Sequence, residues 1–152
     1  MASPTRKKRW LIVLGLLGLV GAVVAAVAVP PTGWTSNDVT TGQHQGYPDL
    51  QSIRYDVDKR AATLLAAGAA QRIPGWTVKR TLPDEGIMEA EVAVPAFARV
   101  FTDDVTVTVT EENNASVVRI RSRSRVGRGD MGENARHIRA LQAAMNAKLP
   151  RL

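Results

Sequence analysis

The apolar and polar positions divide the chain into one long apolar run and a series of short alternating segments. Residues 10–29 form twenty consecutive positions without a charged side chain. Beyond residue 50, apolar and polar residues alternate over short stretches, as is typical of half-buried strands. Two longer stretches, about 59–72 and 133–149, are predicted to be helices. The first follows Asp58, a suitable N-cap residue, and is stopped by Pro74-Gly75. The second repeats apolar residues at helical spacing. The predicted order of elements is therefore β-α-β-β-β-β-α.

Five alternating segments predict the strands of one antiparallel sheet. Short connections between consecutive strands favour antiparallel pairing, which leaves one face of the sheet in water and the other for the two helices. The sequence therefore predicts an α+β fold with both helices on one face. The strands are expected at about 53–57, 76–79, 88–94, 104–109 and 118–125.

The last two strands allow their register to be predicted. If Asn113 and Asn114 form a two-residue turn, the numbers of paired residues sum to 227. One face of the hairpin then pairs Val109 with Val118 and Val107 with Ile120. The other face pairs Thr108 with Arg119, Thr106 with Arg121 and Asp104 with Arg123. A slip of one residue would mix the two faces, so the pattern specifies the register.

The apolar run at 10–29 predicts a transmembrane helix. At 1.5 Å per residue, it spans about 30 Å, the thickness of the hydrocarbon core of a bilayer. Residues 6–9 are all basic, whereas the first basic residue after the run is Arg54. The positive-inside rule then predicts a basic cytoplasmic tail at 1–9, the span at 10–29, an extended linker at 30–50, and an α+β domain at 51–152 outside the cytoplasm.

Two features of the run leave alternatives open. Ala26-Val27-Ala28 fits a signal-peptide cleavage site, although twenty apolar residues exceed the usual apolar region of a signal peptide. Either interpretation exports the domain. Gly18, Ala22 and Ala26 recur at a spacing that would let two such helices pack closely as a dimer, but small residues are also common in single anchors.

The net charge of +6 does not indicate nucleic-acid binding. Residues 6–9 contribute +4, which leaves 16 basic and 14 acidic residues, or +2, in the rest of the chain. Residues 30–118 carry 7 basic and 12 acidic residues, and residues 119–152 carry 9 and 2. Two segments of opposite charge are expected to neutralise each other within a small domain. The chain has no cysteine, which excludes disulfides and thiolate metal sites.

A row of arginines on the last strand is the most conspicuous chemical feature. It suits an anion such as a phosphate, a lipid headgroup or an acidic polymer. The alternative is a solvated face whose arginines meet Glu89, Glu91, Asp104 and the threonines across the strands. Arg125 and Arg128 lie beyond the paired region and are predicted to be available.

No catalytic set or cofactor site is recognisable. Asp103 and Asp104 are adjacent in a strand, so they point to opposite faces; one is expected to pair with an arginine and the other to cap the turn after Phe101. The only histidines, His44 and His137, show no acidic partner at ligand spacing, so no metal is predicted. Asp130 is expected to cap the last helix. These observations favour a protein that is not an enzyme and needs no cofactor.

Three stretches resemble a bacterial family, the domain of unknown function 1499 proteins. They are GQHQGYPDL at 42–50, FTDDVTVTV at 101–109 and RIRSRSRVGRGDMGENARHIRAL at 119–141. The resemblance implies a membrane-associated or exported protein and brings no activity with it. The candidate interaction residues of these stretches are Tyr47, Asp49, Asp103, Asp104, Arg123, Arg125, Arg128, Asp130, Asn134 and Arg136.

The predicted arrangement is also similar to TATA-binding-protein-like and helix-grip folds, in which a C-terminal helix lies on an antiparallel sheet. We therefore weigh three functions: a membrane-tethered module that binds a partner protein, a domain that holds a lipid or apolar ligand between sheet and helix, and a hydrolase. The sequence favours the first, because no catalytic set is visible and a domain of about 100 residues leaves little internal volume.

Overall fold

The computed structural model describes residues 36–96 and 99–149. The predicted cytoplasmic tail and the predicted transmembrane helix lie outside the described residues. Among the residues that are described, no helix is both long and apolar enough to cross a membrane.

Six strands and two helices form the described domain, and the predicted α+β class with an antiparallel sheet is confirmed. The sheet order is β1-β6-β5-β4-β3, and β2 also pairs with β6. The helices are α1 (Lys59–Ala70) and α2 (Glu133–Asn146). The strands are β1 (Asp38–Thr40), β2 (Ile53–Tyr55), β3 (Trp76–Leu82), β4 (Ile87–Ala96), β5 (Arg99–Glu112) and β6 (Ala115–Ser124).

The predicted β5–β6 register is confirmed at every pair. Val109 faces Val118, Val107 faces Ile120, and Asp104 faces Arg123. Asn113 and Asn114 both have positive φ angles, 52° and 62°. These angles match the two-residue turn whose twist suits a hairpin, and asparagine tolerates them better than most residues.

The prediction of a surface linker at 30–50 is wrong over its described part, 36–50. Strand β1 pairs with the end of β6, and Val39, Tyr47 and Leu50 are buried in the core. Sequence pattern could not show this, because a single valine between polar residues has no measurable period. The segment is instead held by main-chain hydrogen bonds to β6, including Thr41 N–H to the Ile120 carbonyl at 3.0 Å.

The two helices contact each other and pack on the apolar face of the sheet. Asp58 caps α1 by accepting a hydrogen bond from the Ala61 N–H at 2.6 Å, as expected. The buried side of α1 consists largely of alanines, which allow close approach to the sheet. The buried side of α2 contains Ile138, Leu141 and Met145, which are all fully buried and follow the helical spacing predicted for 133–149.

Strand β3 is the outermost strand on its side of the sheet in the described part of the chain. Its pairing with β4 shifts between Val78 and Arg80, where Lys79 is the extra residue. Lys79 and Arg80 pair with Glu91 and Glu89 of β4. This strand therefore combines a bulge with two basic side chains.

Candidate functional site

Two of the three stretches that carry the family resemblance, 101–109 and 119–141, meet where β5 begins and where β6 gives way to α2. Here lies a buried polar group that we call the junction cluster: Asp103, Ser122, Ser124, Asn134 and His137. All five are at most 8% exposed. Because Asp103, Ser122 and Ser124 stand on the apolar face of the sheet, the cluster is enclosed between that face and α2.

Asn134 is the centre of the hydrogen bonding in the junction cluster. Its side-chain oxygen accepts from the Ser122 hydroxyl at 2.6 Å, and its amide nitrogen donates to Ser124 Oγ at 3.1 Å. The same nitrogen donates to the Asn37 carbonyl at 3.0 Å. One side chain thus joins the start of α2, the end of β6 and the chain leading into β1.

Asp103 and His137 form the titratable part of the cluster. Asp103 Oδ2 lies 3.5 Å from His137 Nδ1, and this oxygen has no hydrogen-bond partner among the described residues. Burial raises the pKa of Asp103, against the opposing effects of Ser124 and His137. Burial also lowers the pKa of His137, although nearby carboxylates act in the opposite direction. Both shifts favour the uncharged forms, since a charge at this depth loses its hydration.

The serine, histidine and aspartate of the cluster do not form a hydrolase triad. A triad needs the nucleophile at one imidazole nitrogen and the orienting carboxylate at the other. Here Ser122 Oγ lies 3.3 Å from Nδ1, the same atom that Asp103 approaches, while Nε2 faces Glu133 at 3.9 Å. Ser122 is also fully buried. In the described ranges, no group of three or more histidines and carboxylates could hold a metal ion.

The loop at 42–50 packs on α2 through Arg139. The guanidinium of Arg139 binds both oxygens of Asp49, at 2.8 and 3.0 Å, and lies 5.5 Å from the centre of the Tyr47 ring. This ion pair lowers the pKa of Asp49. The Tyr47 hydroxyl is buried without a hydrogen-bond partner among the described residues, and burial raises its pKa.

The arginine row on the opposite, solvent-facing side of the sheet is partly neutralised. Arg125 binds Asp104 and Glu91 at 2.6 Å each, so the prediction that Arg125 is available is wrong. The chain beyond β6 continues beside β5, with the Arg125 N–H donating to the Thr102 carbonyl at 3.3 Å. That path brings the guanidinium over the carboxylates of β4 and β5. Arg121 pairs with Asp38 of the unpredicted strand β1.

A groove of about 610 Å³ lies on this solvent face, between β1 with its following loop and the centre of the sheet. Arg119 reaches it and forms no ion pair with any described residue. Three threonines line the groove together with Arg119, and so does the Asp38–Arg121 ion pair. The residues that line the groove are Asp38, Thr40, Gln43, His44, Thr106, Thr108, Arg119 and Arg121.

A family model described as "Protein of unknown function (DUF1499)" matches residues 28–145, which is more than half of the chain. The chain belongs to this family. No curated protein matches the sequence. This match confirms the resemblance seen in the sequence. The matched residues include the junction cluster, the 42–50 loop and the groove of this DUF1499 protein.

The ten candidate residues fall into separate groups in the structure. Asp103 and Asn134 belong to the junction cluster. Asp130 lies beside it and accepts from the N–H groups of Gly132 and Asn134, although the N-cap residue of α2 is Gly132 and not Asp130 as predicted. The second group lies where the 42–50 loop meets the exposed side of α2: Tyr47, Asp49 and Arg136. The third comprises residues of the solvent face and the loop that follows it: Asp104, Arg123, Arg125 and Arg128.

Some features of the DUF1499 domain were missed or misassigned from sequence. Asp104 pairs with an arginine as expected, but Asp103 faces His137 in the core and does not cap the turn after Phe101. Glu133 lies one helical turn before His137, a spacing visible in the sequence. The sequence pattern did not place Thr40, Gln43 and His44 beside the sheet, because they reach it only through the pairing of β1.

Proposed function

We propose that this DUF1499 protein is a membrane-tethered, non-enzymatic module outside the cytoplasm that binds a partner protein through the groove on its solvent face. The groove carries the proposal, since it presents an arginine without an ion pair beside a row of hydroxyl groups. Arginine and hydroxyl donors together suit the carboxylates of an acidic protein segment.

The position of the groove supports recognition of an extended segment. Arg119 lies opposite Thr108 on the neighbouring strand, and Arg121 lies opposite Thr106. These side chains stand on one face of a regular sheet, so their spacing is fixed by the main chain and not by flexible loops. A partner would therefore meet a largely preformed surface.

The junction cluster supports a binding function over catalysis. Its hydrogen bonds join three segments of the chain, and its serine and carboxylate approach the same imidazole nitrogen. Buried hydrogen bonds such as the three that Asn134 makes position the structural elements that they join.

The alternative of a lipid or apolar ligand between sheet and helix receives no support from the packing. The helix-grip analogy would place such a ligand under α2, but Ile138, Leu141 and Met145 are fully buried there. They belong to one continuous core with Val107 and Ile120 of the sheet. Side chains fill the space that a ligand would need.

The proposal can be tested by crosslinking in intact cells. A photo-crosslinking amino acid at Thr108 should capture a specific partner, whereas the same amino acid at the exposed Gln71 of the helical side should not. The Arg119→Glu variant should lose the crosslink, because it places a carboxylate opposite the acidic partner. The matched Arg72→Glu variant makes the same charge change on the helical side and should retain the crosslink.

The captured protein should then bind the purified full chain. We expect Arg119→Glu to raise the Kd at least tenfold and Arg72→Glu to leave it unchanged. The groove would be rejected as the binding site if both variants behaved alike, or if Thr108 and Gln71 captured the same proteins.

The tether is a separate part of the proposal. The N-terminal residue of the protein isolated from membranes distinguishes an anchor from a cleaved signal peptide. An intact N-terminus in the membrane fraction is expected. If the mature chain begins near Val29, the N-terminal segment is a cleaved signal peptide, and the module is exported without a tether.

A further inference from the structure

One end of the sheet gathers exposed apolar side chains and basic residues. It is the end where β1 begins, β6 finishes and the β4–β5 connection lies, and we call it the basic end. Asn37 marks it: the side-chain amide donates to the Gly127 carbonyl at 2.7 Å. The described chain therefore starts, at Ser36, beside the loop that follows β6.

The apolar part of the basic end is formed by two valines and a methionine. Val100 is 68% exposed, Val126 is 64% exposed and Met131, in the loop between β6 and α2, is 53% exposed. The only other large apolar side chain of comparable exposure in the described residues is Leu64 on α1. Three of the four exposed large apolar side chains in the described residues therefore lie at this end, and exposed apolar surface of this kind marks a contact with a membrane or another molecule.

Arginines accompany these apolar residues. Arg99, Arg123 and Arg128 are exposed at this end, and none of them forms an ion pair with a described residue. The nearby carboxylate of Asp130 is occupied by the N–H groups of Gly132 and Asn134. The basic end therefore presents positive charge together with apolar surface.

The opposite end of the sheet has the reverse charge. The β5–β6 turn follows Glu111 and Glu112, and the β3–β4 turn contains Asp84 and Glu85. Asp56 and Asp58 precede α1 at the same end. Although Arg54 and Arg60 pair with two of these carboxylates, acidic residues remain in excess.

A domain with this charge distribution is oriented by an anionic surface with its basic end towards that surface.

The chain outside the described residues sets the distance to the membrane. Six residues, 30–35, separate the predicted transmembrane span from Ser36. Fully extended, they reach about 20 Å. Strand β5 has 14 residues and is therefore about 45 Å long. If residues 10–29 span the bilayer, these six residues limit the distance between Ser36 and the membrane to about 20 Å, whereas the acidic end can lie much farther away.

We propose that the basic end docks on the anionic lipid headgroups of the membrane in which the chain is anchored. Val100, Val126 and Met131 would contact the interfacial region, and Arg99, Arg123 and Arg128 would bind lipid phosphates. This inference rests on the tether in the proposed function. It adds a second, membrane-facing surface and leaves the groove to the partner.

The sequence permits a clean labelling experiment because it contains no cysteine. The full chain is reconstituted at a high lipid-to-protein ratio into vesicles of phosphatidylcholine, with or without phosphatidylglycerol. Single variants Val100→Cys and Val126→Cys carry an environment-sensitive fluorophore. Thr110→Cys, exposed near the acidic end of β5, is the matched control.

In vesicles that contain phosphatidylglycerol, the fluorophores at 100 and 126 should emit at shorter wavelength and be quenched by brominated lipid at least threefold more than the label at 110. Salt at about 0.5 M should reverse this difference by screening the headgroups. Combining Arg99→Gln with Arg128→Gln should have the same effect.

Each failure has a distinct meaning. If the chain does not float with the vesicles, the tether fails and the proposed function fails with it. If the chain floats but the labels at 100 and 126 stay in water, docking is overturned and the tether stands. Equal burial in vesicles without phosphatidylglycerol would overturn recognition of anionic lipid. A shift that depends on protein density would identify a second copy of the chain as the occupant and also overturn the proposal.

Discussion

Asp103 Oδ2 lies 3.5 Å from Nδ1 of His137, and both side chains are enclosed between the sheet and α2. The two residues are separated by 34 positions in the sequence and come together only when α2 folds back on the sheet. Burial shifts the pKa of each towards its uncharged form. The pair therefore makes the stability of the domain sensitive to pH.

The first prediction concerns the pKa of His137. It lies below the ordinary value of 6.5, so the unfolded chain takes up a proton on this residue at a higher pH than the folded chain does. From His137 alone, the free energy of unfolding is expected to fall as the pH drops from 6.5 to the folded-state pKa. The raised pKa of Asp103 acts in the opposite direction, because the folded state then protonates first as the pH falls. An NMR titration of the imidazole measures the pKa of His137 separately from that of Asp103 and should give a value below 6.5.

The variant Asp103→Asn provides the matched test of this pair. Removing the carboxylate removes an attraction that raises the pKa of His137, so this pKa should fall further. Asp49→Asn, which removes a carboxylate from the 42–50 loop, should leave the His137 titration unchanged. A rise of the His137 pKa in Asp103→Asn would contradict the arrangement.

The second prediction concerns Asn134. Replacement by alanine removes three hydrogen bonds and leaves the hydroxyls of Ser122 and Ser124 buried without that partner. We expect a loss of about 2–4 kcal/mol in the free energy of unfolding, measured by urea denaturation. Gln142→Ala removes one exposed hydrogen bond to the Gln51 carbonyl and should cost under about 1 kcal/mol. Equal losses in the two variants would refute a special function for Asn134.

The third prediction compares two glycines. Gly86 has a φ of 75°, and a Cβ there would overlap the Val109 carbonyl oxygen. Gly86→Ala should therefore destabilise the domain by about 2 kcal/mol or more. Gly68 lies within α1, and a Cβ there meets nothing within 4 Å. Gly68→Ala should stabilise the domain by up to about 1 kcal/mol, because alanine favours the helix. Thermal unfolding should show shifts of opposite sign.

The fourth prediction concerns the attachment of the 42–50 loop. Arg139→Lys removes the paired contacts to Asp49 and the stacking on Tyr47 while keeping the charge. Global stability should fall by under about 1 kcal/mol, since the pair is exposed. Hydrogen exchange at residues 42–50 should nevertheless accelerate, because the loop loses its ion pair with α2. The exchange of β5 amides serves as the internal reference and should not change.

The ion pair between Asp49 and Arg139 also gives a pH effect of known sign. The pKa of Asp49 is lowered, so its contribution to stability is present above the ordinary value of 3.8 and is lost as the pH falls through the folded-state value. The rate of hydrogen exchange at residues 42–50 of the unmodified protein should therefore approach the rate in Arg139→Lys only at acid pH. A loop that loosens near neutral pH would require another cause.

The sequence was informative where structure depends on local pattern. The alternation at 105–109 and 118–120, with two asparagines between, contains enough constraints to specify the register of a hairpin. Asp58 identified the beginning of α1, because an N-cap side chain accepts from an N–H group three positions later, and Asp130 lies only two residues before Gly132, the N-cap of α2. These interactions connect near neighbours in the chain.

Features that depend on distant segments could not be predicted. Val39 is buried only because β6 extends far enough to pair with β1, and Arg125 is neutralised only because the chain beyond β6 continues beside β5. The position of Asp103 beside His137 likewise requires the path of the loop at 125–132. The candidate residues were therefore identified individually, but their grouping was visible only in the structure.

The bulge and the basic side chains of β3 have a consequence for how copies of the domain behave when they come close together. An open strand edge can pair with the edge of another molecule and begin an aggregate. At β3, the irregularity at Lys79 interrupts the spacing that such pairing needs, and Lys79 and Arg80 place charge beside the edge. Neighbouring copies can therefore crowd together without merging their sheets.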